Sequence, residues 1–517
     1  MKKVKVLQPS EIAALIKDGE TLATGGFVGS GSPEALSKAL EKRFLETGSP
    51  RDLTYMYAAG QGNRDGSGSD HFAHEGLVKR VIAGHWNMAP RLGQLAMDNK
   101  IEAYNIPQGV ICHMYRDIAA HRVGTVTHVG LHTFADPRIE GCKLNERTTE
   151  DIVEVINILG EERLIFKTRP IDVVFLRATS ADENGNISME REVCPVDATA
   201  MALAAKNSGG RVYVQVERLV KAGTIDPKLV KIPGILVDAV AVADPEDHPQ
   251  SFGHAYDPTL TGEAVAPDTE SEPLPLSAKK IIGRRAAMEL RENSVVNLGI
   301  GAPEYVSAVA NEEGIGDYIT LTVEGGPVGG IPLGGSQFGA SRNADCYFDQ
   351  NVMFDLYDGG GLDQAYLGLA QADENGNVNV SRFGPRIAGC GGFIDITQNA
   401  KRVYFCGTFT AGGLKTSIKD GKLVIENEGR EPKFIKQVEQ ITFSGNFAAE
   451  KGQPVMYITE RAVFELRKDG VYLTEVAPGI DIKTQIIDVM GFEPKIDGEV
   501  KLMDERIFKD EIMGLKK

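Results

Sequence analysis

The stretch Ala181-Asp-Glu-Asn-Gly-Asn-Ile187 returns as Ala372-Asp-Glu-Asn-Gly-Asn-Val378, and Arg211-Val-Tyr213 returns as Arg402-Val-Tyr404 at the same interval. Two motifs repeated at one spacing mark an internal duplication, in which each copy follows one supersecondary plan. A further pair of segments supplies that plan. Leu7-Gln-Pro-Ser-Glu-Ile-Ala-Ala-Leu-Ile-Lys-Asp-Gly19 leads through Thr21-Leu-Ala-Thr-Gly-Gly-Phe27 to Ser32-Pro33-Glu34-Ala35-Leu36. Leu276-Ser-Ala-Lys-Lys-Ile-Ile282 leads through Ser294-Val-Val-Asn-Leu-Gly-Ile-Gly301 to Ala302-Pro303-Glu304-Tyr305-Val306. Each reads as a helix, a strand, a glycine turn and a second helix with proline at its first position. The expected fold class is therefore α/β: two homologous open α/β domains, each with a mostly parallel sheet flanked by helices. Between Ile232 and Ala278 there is no lysine or arginine, while Asp244, Glu246, Asp247, Asp257, Glu263, Asp268, Glu270 and Glu272 accumulate among prolines. That composition marks an irregular connector. The expected domains are 1–243 and 276–517, joined by an acidic connector at 244–275.

The duplication also isolates a difference. In Tyr318-Ile-Thr-Leu-Thr-Val-Glu-Gly-Gly-Pro-Val-Gly-Gly-Ile-Pro332, Ile319, Leu321 and Val323 alternate with Thr320, Thr322 and Glu324, the period of a strand with one apolar face. Glu324 sits at the carboxyl end, where open α/β sheets bind ligands, and Gly325 and Gly326 let backbone approach a substrate closely. A solvated loop glutamate beside a glycine turn fits this segment equally well. Aligning Leu53-Thr-Tyr-Met-Tyr-Ala58 with Ile319-Thr-Leu-Thr-Val-Glu324 puts Ala58 opposite Glu324. A carboxylate kept at only one of two equivalent strand ends points to chemistry rather than structure.

Three other turns are candidates for a site. Asn297-Leu-Gly299-Ile-Gly301-Ala-Pro303 offers backbone amides at a helix start, suited to a phosphate or an oxyanion. It is not the full dinucleotide fingerprint, because the Pro303-Glu304 helix start replaces the third glycine. Arg386-Ile-Ala-Gly389-Cys-Gly391-Gly392-Phe-Ile-Asp395 is a second glycine cluster. Ile106-Pro107-Gln108-Gly109 presents a side-chain amide, although turn chemistry alone accounts for a glutamine there.

Bulk properties narrow the function. At 517 residues the chain exceeds one ordinary core. A formal charge of -16 argues against nucleic acid as the main partner. The opening Met-Lys-Lys-Val-Lys-Val-Leu-Gln-Pro lacks an apolar targeting segment and no later run approaches a membrane span, so the protein is read as cytoplasmic, with no membrane partner. Cys112, Cys142, Cys194, Cys346, Cys390 and Cys406 are scattered without a Cys-x-x-Cys pair, and Cys390 reads as a small, half-buried filler. All nine histidines lie between His71 and His254, so a site built only from the second half works without imidazole. His71-Phe-Ala-His74-Glu75 has the wrong order for a zinc helix and reads as an exposed helix face; no metal site is expected.

With these motifs in hand, the chain resembles the family I coenzyme A transferases over nearly its whole length, in the form that fuses α-type and β-type halves. The resemblance rests on Gly25-Gly-Phe27 with Pro33-Glu34, Pro107-Gln108-Gly109, Gly299-Ile-Gly-Ala-Pro303, Glu324-Gly-Gly326 and Gly391-Gly-Phe-Ile-Asp395, and on the longer segments 72–86 and 379–392. Within the family the chain is most similar to members acting on propionate, acetate and lactate. The resemblance implies that Glu324 becomes a γ-glutamyl-CoA thioester, that Gln108 and the backbone N–H of Gly392 form an oxyanion hole, and that Gly299, Ile300, Gly301, Ala302 and Pro303 contact coenzyme A. Gly325, Gly326, Gly389 and Gly391 are the further glycines expected to line that site. Some relatives carry adjacent asparagines near the first-half strand end, where this chain has Ala58-Ala59-Gly60-Gln61, so a donor there does not carry over. The implied partners are acyl-CoA and small monocarboxylic acids, with coenzyme A as substrate and covalent intermediate, no permanently bound cofactor, and a homo-oligomeric dimer or tetramer. Two other readings remain beside short-chain CoA transfer: a thioester hydrolase on the same scaffold, and a non-catalytic CoA or sugar-phosphate sensor.

Overall fold

The computed structural model describes residues 3–267 and 273–516; Asp268, Glu270 and Glu272 of the acidic connector lie outside the described residues. Packing divides the chain into two units that interleave in sequence. One comprises Met1–Ala266, Val323–Asp355 and Gly384–Asp395; the other comprises Pro267–Thr322, Leu356–Phe383 and Ile396–Lys517.

The first unit is built on a parallel sheet. Its strands follow the order Lys5–Val6, Ala239–Val242, Arg211–Val220, Val173–Asp182, Thr21–Thr24, Leu53–Tyr57, Val78–Ala83 and Glu102–Asn105. Each of these neighbours pairs in parallel. Val173–Asp182 and Leu53–Tyr57 are buried at every position, as expected of parallel strands covered on both faces. Thr21–Thr24 is first of the inner strands in the chain. From it the chain steps outward to Glu102–Asn105 on one side, then returns to add Val173–Asp182 and its neighbours on the other. Its carboxyl end is thus a topological switch point, where loops part and leave a crevice. Gly25-Gly26-Phe27 lies there, followed by the helix Glu34–Thr47 with Pro33 as its cap residue.

The second unit repeats the plan on a mixed sheet. Ile319–Thr322, Ser294–Leu298, Gln364–Leu367, Val403–Cys406 and Val455–Ile458 run parallel in that order, and Ala462–Arg467 and Gly470–Val476 continue antiparallel. Ile281, Val296, Val306, Tyr366, Tyr404 and Ile458 belong to its core, with the Tyr366 and Tyr404 rings stacked at 4.6 Å. Here Ser294–Leu298 borders the switch point, and Gly299–Pro303 follows it into the helix Glu304–Glu312.

The repeated Asp-Glu-Asn-Gly-Asn motif makes one turn twice. Asp182 Oδ1 accepts the backbone N–H groups of Asn184 and Asn186, both at 2.9 Å, and Oδ2 accepts Asn186 Nδ2 at 3.0 Å. Asp373 does the same with Asn375 and Asn377, each contact at 3.0 Å. The glycine adopts φ of 84° at Gly185 and 75° at Gly376, a conformation costly for other residues. The duplication inferred from sequence is therefore a duplicated hydrogen-bond pattern.

In the segment expected on an exposed helix face, His71 and Phe72 are instead buried, while Glu75 is exposed. His71 lies in the 3-10 turn Gly68–Phe72 at 5% exposure, and Phe72 packs its ring 4.3 Å from Tyr55. His71 Nε2 meets Glu34 Oε1 at 2.7 Å, Nδ1 meets Glu41, and His74 Nε2 meets the other Glu41 oxygen at 2.7 Å. Burial lowers the His71 pKa, but the two carboxylates outweigh it and raise the group to about 9. The helix-face reading failed because the Glu34 and Glu41 partners come from a separate helix. No helix among the described residues is long and apolar enough to cross a membrane.

Asp373→Ala removes the acceptor of three turn donors at a buried position. It is expected to cost about 1–3 kcal/mol and lower the thermal midpoint of the second unit, as checked by calorimetry.

Candidate active site

Three neighbouring strand ends of the first unit converge. A Cβ on Gly84 would lie 2.3 Å from the Ala58 carbonyl oxygen and 3.1 Å from Gln108 Cα, so glycine alone permits that approach. Pro107 caps the helix Gln108–Ala119 and puts Gln108 on its first turn. The Gly389–Gly392 loop is stitched across these ends. Gln108 N–H donates to Gly391 O at 2.9 Å, and Gly391 N–H donates to Gly84 O at 2.8 Å. Asn105 Nδ2 donates to Ala83 O at 3.0 Å and Gly84 O at 2.6 Å, while its Oδ1 accepts Cys390 N–H at 2.9 Å. Gly389, at φ of 78°, brings its α-carbon against the His85 and Trp86 backbone, where a Cβ would sit 2.9 Å away.

Glu324 follows Thr322, the last residue of its strand, by two positions. Gly326 then turns at φ of 130°, and a Cβ there would strike the Phe348 carbonyl at 2.2 Å. Gly325 packs against Phe27, Cys194 and the Gly339 carbonyl, the edge of an apolar cluster that includes Val28, Ala59 and Ala340. The Glu324 carboxylate has no hydrogen-bond or ion-pair partner among the described residues. A Cβ on Gly392 would fall 2.9 Å from Glu324 Oε2 and 3.1 Å from the Phe354 ring, so Gly392 leaves the carboxylate its room. The side chain keeps one accessible edge, yet burial alone pushes its pKa up to about 7.

Two donors along the Gly391-Gly392 stretch are also unspent. Gln108 is 2% exposed, and its Nε2 is buried without a partner. Leaving such a donor unsatisfied costs about 1–3 kcal/mol, a cost that a ligand oxygen would remove. The backbone N–H of Gly391 is taken by Gly84, whereas that of Gly392 has no acceptor among the described residues. The first unit thus gathers Glu324, Gln108, Gly391 and Gly392 from three stretches of chain. An unpaired, desolvated carboxylate next to free donors suits nucleophilic attack on a carbonyl and stabilisation of the resulting oxyanion.

The remaining expected residues have other settings. Gly299, Ile300, Gly301, Ala302 and Pro303 belong to the second unit, at its switch point. Gly299 N–H donates to Tyr366 O at 2.8 Å, and its α-carbon packs on Leu367. Gly301, at φ of 93°, has open space where a Cβ would be, and Ile300 is 57% exposed. Gly326 and Gly389 serve close contact between backbones.

A residue the sequence reading passed over also enters. Because Val323–Asp355 packs with the first unit, the Glu324 site is not built from second-half residues alone, and it has an imidazole. His85 Cδ2 and Gln108 Oε1 both lie 3.6 Å from the Cβ position of Gly391. The signal was present, since His85 follows a strand and a glycine just as Glu324 precedes glycines at a strand end.

This fold is shared with enzymes of acyl-CoA exchange, and the chain belongs to the coenzyme A transferase family, whose description matches residues 6–243. It is a CoA-transferase that works between an acyl-CoA and a carboxylate, with α-type and β-type halves in one chain. It is 46% identical to the acetate CoA-transferase YdiF of Escherichia coli K12 across 99% of this chain and 96% of that protein. It is equally 46% identical to the caffeate CoA-transferase of Acetobacterium woodii, across 99% and 98%. Crystal structures of the Escherichia coli O157:H7 acyl-CoA transferase YdiF, as apoenzyme and as a thioester complex with CoA, match with TM-scores of 0.95 and 0.93. Both are 44% identical and cover 99% of this chain and 97% of that one.

The raised Glu324 pKa has a consequence for stability. Between the ordinary carboxylate value and about 7 the folded protein holds a proton that the unfolded chain has lost, so this group's contribution to stability falls as pH rises through that window. Glu324→Gln is expected to raise stability at pH 8 by on the order of 2 kcal/mol and to make little difference at pH 4. Thermal midpoints at the two pH values check this.

Proposed function

We propose that this enzyme moves coenzyme A among short-chain acids of the propionate, acetate and lactate class, by a ping-pong route through a covalent thioester on Glu324. The observation that carries the reading is the desolvated Glu324 carboxylate, unpaired beside the unspent Gln108 amide.

A Glu324 oxygen attacks the acyl-CoA carbonyl, and the carbonyl electron pair moves to oxygen. Collapse of that adduct expels the CoA thiolate and leaves a mixed anhydride. The thiolate then attacks the glutamyl carbonyl, forming glutamyl-CoA and releasing the first acid. An incoming carboxylate attacks this thioester to make a second anhydride, and the thiolate takes the new acyl group, restoring Glu324. No proton has to move in these exchanges, so the route needs no general acid or base. Each adduct carries an oxyanion, and the unpartnered Gln108 Nε2 and Gly392 N–H support the reading that these two groups receive it. Desolvation matters twice, because it raises the nucleophile's reactivity and keeps water from the anhydride and thioester. For coenzyme A we propose contacts with Gly299, Ile300, Gly301, Ala302 and Pro303, supported by the switch-point position and the exposed Ile300 side chain. Gly325 and Gly391 are proposed as glycines of the reacting centre in the first unit. A reducing, cytoplasmic setting suits a chain whose six cysteines form no disulfide.

Incubation with propionyl-CoA alone is expected to add the mass of coenzyme A, less water, to the peptide containing Glu324. Glu324→Ala is expected to abolish both the adduct and transfer while the fold persists; transfer by that variant at a rate near wild type would overturn the assignment. Gln108→Ala is expected to lower kcat by about 10²-fold with little change in the KM for acyl-CoA, since its donor is engaged only as the oxyanion forms. Because the nucleophile must be ionised, kcat/KM for acyl-CoA is expected to fall as pH drops below about 7.

A further inference from the structure

Among the described residues, His85 is the imidazole that borders the Glu324 site and that the exchange steps leave without a role. The backbone on both sides of it is held in place. Trp86 N–H and Asn87 N–H both donate to Ala388 O, at 2.8 and 3.0 Å, and Gly84 O receives Gly391 N–H. The Nδ1 edge is turned onto Gly60, where a Cβ would lie only 2.4 Å from Nδ1. The strand end Ala58-Ala59-Gly60 therefore carries no polar side chain of its own, and the imidazole fills the space that a side chain at position 60 would take. The opposite edge, through Cδ2, borders the small volume over Gly391 that the Gln108 amide also borders, each 3.6 Å from the same point. Gly392, beside Glu324 Oε2, is the next residue. His85 has no hydrogen-bond partner among the described residues, and it remains partly accessible.

We propose that His85 is a further catalytic hydrogen-bond donor of the Glu324 site, sharing with the Gln108 amide the oxyanion that forms beside Gly391 and Gly392. The inference rests on the Glu324 reading above. In the adduct, the new bond joins a Glu324 oxygen to the acyl carbon and the former carbonyl oxygen carries the charge. His85 Nε2–H donates to that oxygen and keeps its proton. The bond to sulfur then breaks, the carbonyl reforms, and the thiolate leaves with the electron pair.

The electrostatics suit this use. Burial, with the Arg64 and Arg386 guanidinium groups nearby, pulls the His85 pKa down to about 4, so the ring is neutral at working pH. Arg64 is held by its N–H to Met88 O at 3.2 Å, and Arg386 Nε by Asn87 Oδ1 at 3.1 Å, which keeps both on the His85 loop. A thiol titrates near about 8.5, so an imidazolium would pass its proton to the departing thiolate and stall the return attack. A neutral imidazole polarises a carbonyl without being acid enough to do so.

The test compares wild type with His85→Leu, His85→Ala and His85→Gln, the last of which keeps a neutral donor at the reach of Nε2. The readouts are kcat for transfer and the single-turnover rate of the Glu324 adduct formed from propionyl-CoA, with the thermal midpoint of each variant as a check on folding. The leucine and alanine variants are expected to lose about 10-fold or more in both rates, with the KM for acyl-CoA within about threefold. The glutamine variant is expected to recover most of the loss and to keep the wild-type pH profile. Rates within about threefold of wild type for a folded donorless variant would overturn the proposal. A glutamine variant as slow as alanine, or one whose pH profile loses a limb, would also overturn it. If wild type itself forms no adduct on Glu324, the functional reading fails; if wild type and His85→Ala form it equally fast, only the role of His85 fails.

Discussion

The carbonyl of Gly84 holds the site together. It receives the N–H of Gly391 and the side-chain amide of Asn105, and so joins a strand end of the first half of the chain to a glycine loop some three hundred residues later. Everything at the reacting centre depends on that junction. It spends the Gly391 N–H and leaves that of Gly392 free, it seats Gln108 through the Gly391 carbonyl, and it carries His85 on the adjacent residue. Asn105 reinforces the knot from below by holding Cys390. Glycine at 84, 389 and 392 is required because each α-carbon lies against another segment of the backbone or the carboxylate itself.

Against that rigid frame stands a carboxylate with nothing bonded to it. A buried acid normally acquires a cation or several donors, and the ion pairs around His71 show how readily this chain supplies them. Glu324 has none among the described residues, so burial raises its energy and its pKa together. In the proposed route, the stability lost in holding an unpaired carboxylate would be regained as it becomes a neutral anhydride or thioester, and the reaction coordinate would start from a ground state already stripped of water. In the same proposal the glycines around it would do the complementary job, giving room for a substrate and backbone amides for its oxygen.

Much of this was legible in the amino-acid sequence, for physical reasons that can be named. Glu324 was visible because strand periodicity puts it at a strand end and the duplicated plan puts Ala58 opposite it. The turn of Asp182 and Asp373 was visible because its hydrogen bonds are local, made within four residues. His85 and the burial of His71 were not legible, since both depend on contacts between segments far apart in the chain: Gly389–Gly391 for one, Glu34 and Glu41 for the other. The interleaving of the two units hid the same fact, as it moves Glu324 away from its own half and next to the histidine-bearing one. Gln108 lay between these cases. Its position was readable, but only its orphaned amide distinguishes a donor from a turn residue.

The central claim is that a Glu324 oxygen bonds to the acyl carbon in every turnover, and isotope transfer reports it most directly. When the enzyme turns over acetyl-CoA with propionate labelled by oxygen-18 in its carboxylate, the account predicts heavy oxygen in the Glu324 carboxylate, located by peptide mass spectrometry. Complete transfer of coenzyme A to propionate with no label in Glu324 would contradict it.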